Sequence, residues 1–103
     1  MDKKKIENEI IELLKTVYDP EIPIDIYELG LIYEINVRDD ANVEILMTLT
    51  SPNCPVAESL PKEVEDKASQ AEGVNRAAVT ITFEPPWDQE MMSEEAKLEL
   101  GFL

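Results

Sequence analysis

Apolar residues recur at three- and four-residue spacing near the start of the chain. Ile6, Ile10, Leu13, Leu14 and Val17 predict one amphipathic helix over Asp2 to Val17, with lysines and glutamates on its other faces. The pattern then stops. Pro20 and Pro23 forbid a regular helix across Tyr18 to Gly30, yet Ile24, Ile26 and Leu29 can still bury, which predicts an ordered loop with one helical turn closed by Gly30. From Leu31 the period changes to two. Leu31, Tyr33, Ile35 and Val37 share one face of a first strand; a polar turn, Arg38 to Asn42, leads into a second strand from Val43 to Thr50. In that strand Val43, Ile45, Met47 and Leu49 face the helices, while Thr48 and Thr50 take the other parity. A second helical stripe, Val56, Leu60, Val64, Ala68 and Ala71, spans Pro55 to Ala71, with a kink expected at Pro61 and an end at Gly73. Arg76 to Phe83 alternates again, with Ala77, Val79, Ile81 and Phe83 inward. Ser93 caps a last short helix whose first turn carries Glu94 and Glu95.

This order, helix–strand–strand–helix–strand–helix, predicts an α+β fold. The expected form is a two-layer sandwich in which a small three-stranded mixed sheet carries helices on one face. A right-handed crossover through the second helix returns the third strand parallel to the second. No repeat, linker or composition break divides the 103 residues, so residues 1–103 read as a single domain.

Charge and composition narrow the chemistry. Twenty-three acidic residues against 9 basic ones give a net charge of −14, which repels phosphate backbones and disfavours nucleic acid as a partner. Histidine is absent, removing the commonest general base and metal ligand. One cysteine cannot form an internal disulfide, and there is no long apolar run or signal peptide. A reducing cytoplasm without membrane attachment is the expected setting.

That cysteine stands in a distinctive place. Ser51-Pro52-Asn53 is turn chemistry after a strand, and Pro55 suits a first helical position, so Cys54 is expected beside a helix N-cap. Unpaired N–H groups and the helix dipole there favour a thiolate, suited to a ligand or nucleophile. A small buried hydrophobe is the other reading. Among the carboxylates of the proline loop, Asp25 and Glu28 read as solvated charges. Asp19 and Glu21, held by Pro20, read either as turn capping and solvation or as oxygen ligands beside the cysteine turn. Trp87, the sole tryptophan, follows Pro85-Pro86 and reads mainly as core packing over the sheet edge or that turn.

Five segments together resemble one known family. They are D-P-E-I-P (Asp19 to Pro23), E-L-G-L-I-Y (Glu28 to Tyr33), T-L-T-S-P-N-C-P (Thr48 to Pro55), F-E-P-P-W (Phe83 to Trp87) and M-S-E-E-A-K-L-E-L-G-F (Met92 to Phe102). In order and spacing they resemble the SufT/PaaD-like iron–sulfur cluster assembly family, also called metal–sulfur cluster biosynthetic proteins. PaaD-type members carry a further cysteine-rich tail; this chain stops at Leu103 without one and resembles the stand-alone SufT type. The resemblance implies an assembly-domain fold and a cytosolic accessory factor, not an enzyme, that helps mature or deliver clusters. It maps functional positions onto Asp19, Glu21, Thr50 and Cys54, with Pro20, Pro52, Asn53, Pro55 and Trp87 shaping the site.

A single thiolate cannot hold a cluster, which takes four ligands. No stable cofactor is expected, only transient iron or a transient cluster at Cys54. The remaining ligands come from a second chain, a partner or a small thiol. Expected partners are assembly proteins and client apo-proteins, with a Cys54-bridged homodimer as one arrangement. Three alternatives stand beside this reading. One is an adaptor domain that binds no metal. A second is a cysteine-dependent enzyme, handicapped by the lack of histidine. The third is a KH-type RNA-binding module, opposed by the charge and by the lack of a G-x-x-G loop.

Overall fold

The computed structural model describes residues 2–19, 22–50 and 59–101. Its elements are α1 (Lys3–Leu14), β1 (Ile32–Val37), β2 (Asn42–Met47), α2 (Ser59–Ala68), β3 (Arg76–Ile81), a 3-10 turn (Gln89–Met91) and α3 (Glu94–Glu99). The sheet runs β1-β2-β3, with β1 antiparallel and β3 parallel to the central β2. This is the α+β order expected from the pattern. α1 packs on α2 and β1, and α2 packs on β3. The inward residues of β2, Val43, Ile45 and Met47, are buried beneath the helices, while Glu44 is exposed.

Four details depart from the periodicity, each for a local reason. α1 ends at Leu14 rather than Val17. The Thr16 hydroxyl donates to the Leu13 carbonyl at 2.6 Å, and the Thr16 and Val17 amides form tighter bonds to the third residue back. Val17 nevertheless stays fully buried. In β1, a bulge between Ile32 and Glu34 makes Tyr33 the extra residue, so Ile32, not Tyr33, stands opposite Met47 on the core side. β2 ends at Met47, and beyond it both Thr48 and Leu49 are buried, which strict alternation forbids. β3 ends at Ile81, leaving Phe83 40% exposed instead of inward.

The described part of α2 runs from Ser59 through Pro61 to Ala68; its start at Pro55, the packing of Val56 and the turn on the other side of the kink expected at Pro61 lie outside the described residues. Leu60, Val64 and Ala68 form its buried stripe. Ser93 caps α3 as expected, its hydroxyl accepting from the Ala96 amide at 3.1 Å. Met92 and Ala96 anchor that end of the chain in the core.

Candidate functional site

The loop between α1 and β1 is built by its own hydrogen bonds. Asp19, 4% exposed, accepts the Ile22 amide on its Oδ1 at 3.2 Å, and its own amide donates to the Ile24 carbonyl at 3.4 Å. A short carboxylate that receives a backbone N–H three residues on is an Asx-type turn, which aspartate forms readily. The Ile26 amide donates to Val17 at 2.9 Å, tying the loop back to the end of α1. Asp25 then caps one helix-like turn. Its Oδ2 accepts the Glu28 amide at 3.0 Å, and the Leu29 amide reaches the Asp25 carbonyl at 3.0 Å. Gly30 closes the turn at φ +84°.

Burial raises the Asp25 carboxyl above its ordinary range; the Glu28 amide bond opposes this, and the Glu28 charge adds to it. Asp25, expected as a solvated charge, is instead a half-buried turn cap, because its carboxylate folds back onto the Glu28 amide. The D-x-x-E spacing of Asp25 and Glu28 is the signal that points to the cap.

The other half of the candidate site begins where β2 ends. The Thr48 amide donates to the Leu31 carbonyl at 2.8 Å, which joins the end of the Asp19 loop to the segment leading toward Cys54. Thr48 is fully buried, its hydroxyl donating to the Leu49 carbonyl at 3.4 Å. Thr50 is half-buried at a bend. Pro20, Glu21, Pro52, Asn53, Cys54 and Pro55 lie outside the described residues.

Trp87 is half-buried against the core, and its indole Nε1 donates to the Leu29 carbonyl at 2.7 Å. It thus sits on the Asp19 loop. Two more contacts run alongside: the Tyr33 hydroxyl donates to the Pro85 carbonyl at 2.7 Å, and the Ser93 amide donates to the Glu28 carbonyl at 2.9 Å. Tyr33, displaced from the core face by the bulge, is a contributor that the period-two reading missed.

No group of three or more His, Cys, Asp or Glu among the described residues is arranged to hold a metal ion. A groove of about 550 Å³ carries several carboxylates, but it lies by the Arg38–Asn42 turn, at the other end of β2 from Thr48. Four of those carboxylates are engaged. Asp2 caps Lys5, Asp39 pairs with Lys3, Asp40 accepts from Asn42, and Glu9 accepts from the Glu72 amide.

Comparison with known proteins fits this geometry. The family model described as iron–sulfur cluster assembly protein matches residues 7–81. An Fe-S protein maturation auxiliary factor of Porphyromonas gingivalis is 52% identical over 97 residues, covering 94% of this chain and 92% of the relative. The Fe-S protein maturation auxiliary factor SufT of Staphylococcus aureus is 40% identical over 85 residues, covering 82% of this chain and 97% of that one. A crystal structure of a domain of unknown function from Bacillus anthracis superposes with a TM-score of 0.89 at 37% identity, covering 97% of this chain and 95% of that chain. The match extends from α1 through β3, and the chain belongs to the iron–sulfur cluster assembly protein family.

Proposed function

We propose that this protein is an accessory factor in iron–sulfur cluster maturation, handling iron or a cluster as cargo around Cys54 and passing it to apo-proteins. The observation that supports this most is the 52% identity, over 94% of the chain, to a protein named for that role. The arrangement of the described residues is compatible with it. A loop holding a buried Asp19 is hydrogen-bonded through Leu31 to the segment that runs by Thr50 toward Cys54.

In this reading Cys54 is the soft ligand, and Asp19, Glu21 and Thr50 complete a polar surround. The further ligands come from outside the chain, because one thiolate does not satisfy a cluster. Two chains sharing one cluster through paired Cys54 residues is the simplest such arrangement. Exchange then depends on association with assembly proteins and clients, where a chain of net charge −14 selects basic patches and sets encounter rates. The protein acts without turnover, in a reducing cytoplasm, and binds no nucleic acid.

Anaerobic reconstitution with iron and sulfide tests the carrier, comparing the native chain with Cys54→Ser. Absorbance that requires Cys54, at about half a cluster per chain, is the expected outcome for a cluster bridged between two chains. Iron uptake that ignores Cys54 overturns it. The adaptor reading then takes its place, with complementation of cluster maturation by Cys54→Ser as the discriminating result.

A further inference from the structure

We infer that residues 84–93 form a clasp that opens as a unit, ahead of global unfolding, and that its closure holds the loop carrying Asp19. Two long-range hydrogen bonds and one close approach fasten this segment to the far side of that loop, and a third bond fastens it to the adjoining β1. The Trp87 indole bonds the Leu29 carbonyl at 2.7 Å, the Tyr33 hydroxyl bonds the Pro85 carbonyl at 2.7 Å, and the Ser93 amide bonds the Glu28 carbonyl at 2.9 Å. Between them Gly30 lies against the backbone of Met91 so closely that a Cβ there would stand 2.9 Å from its carbonyl carbon.

Beyond these, the segment is held by a weak contact of the Tyr33 hydroxyl with the Met91 sulfur at 3.5 Å, an exposed Lys97–Glu90 pair at 3.4 Å, and the packing of Trp87 and Met92. Residues 83–86 and 88–90 are exposed, Trp87 and Met91 are half-buried, and burial resumes at Met92. A stretch with few buried apolar contacts, fixed at discrete points between better-packed anchors, opens locally at lower free energy than the core. The near side of the loop beneath is fastened by the Ile26 amide on Val17 and the Ile22 amide on Asp19, and its far side by the Thr48 amide on Leu31, by the burial of Leu29 and Leu31, and by the clasp. Releasing the clasp removes the fastenings at Glu28, Leu29 and Gly30, so the setting of Asp19 responds to residues more than sixty positions away in sequence. Trp87 is a positioning residue in this account. Its meaning for cluster handling rests on the function proposed above, but the clasp itself does not.

Native-state amide exchange on the whole protein, read by NMR without iron or sulfide, tests it. The Gly30, Leu31, Met92 and Ser93 amides are expected to share one opening, with the same denaturant dependence, and to exchange at least about tenfold faster than Ile45 in the central strand. Trp87→Phe keeps an aromatic ring but removes the N–H. It is expected to speed those amides and that of Ile22 about fivefold, the size of one lost hydrogen bond, and to change Ile45 less than twofold. Exchange of clasp and loop at the rate of Ile45 overturns the proposal. So does a Trp87→Phe effect that is uniform along the chain, or one confined to the clasp with Ile22 unmoved.

Discussion

Replacing Gly30 by alanine separates two costs that the structure makes distinguishable. Gly30 and Gly73 adopt nearly the same backbone, φ +84° and +89°. An L side chain in that region costs about 1–2 kcal/mol, offset by about 0.4–1 kcal/mol because alanine restricts the unfolded chain. At Gly73 a new Cβ meets only the flexible end of Ile6, at 3.4 Å, so Gly73→Ala should lower stability by about 1 kcal/mol or less. At Gly30 the same Cβ meets the carbonyl of Met91, which is backbone and cannot rotate aside. Relieving that overlap adds the cost of overpacking, about 1–3 kcal/mol, for a total near 2–4 kcal/mol. Urea unfolding of both variants beside the native protein measures the difference directly, provided the slopes agree. Equal losses at the two positions, within about 0.5 kcal/mol, would refute the seating of Met91 on Gly30 and the close approach built on it.

Two further outcomes follow from the core and from the loop. Ile45→Ala empties a fully enclosed position in β2 and should cost about 2–5 kcal/mol, lowering the urea midpoint without changing the slope. Asp25 has its folded pKa raised, chiefly by burial, so the folded state favours the protonated acid. Its stabilising share is therefore full below the unfolded value of 3.8 and lost as pH rises through the folded value. The stability of the native chain relative to Asp25→Asn should accordingly be greater at acid pH than at neutral pH; a difference independent of pH, or of opposite sign, contradicts the assignment.

The elements were legible where burial follows a single period. Ile6, Ile10 and Leu14 are buried along α1, and Val43, Ile45 and Met47 along β2, as their spacing predicts. The misreadings sit at element ends and at one irregularity. Phe83 continues the alternation of β3 in sequence, but the chain leaves the sheet after Ile81, so its parity carries no information. Tyr33 looks inward by count, and only the bulge, invisible to a period of two, turns it toward Pro85. For the site, the capping role of Asp19 was readable from an aspartate set before proline, while Glu21 and Cys54 lie outside the described residues. The link between Trp87 and Leu29 spans 58 positions and involves a backbone carbonyl, which no side-chain pattern announces.

Among the described residues, β1 and β3 each have β2 as their one strand partner, so their outer backbone groups are templates for pairing with another chain. β3 is short on the usual deterrents: Ala77, Ala78, Val79 and Thr80 include neither charge nor proline. The protection lies elsewhere, in the charge of the whole molecule. Two copies approaching edge to edge bring −14 each, and that repulsion acts before any backbone group can meet its counterpart. Its reach is set by the surrounding electrolyte, about 8 Å at physiological ionic strength and shorter in stronger salt. The acidity is thus a colloidal guard of an otherwise sociable sheet, and ionic strength is the lever that lowers it.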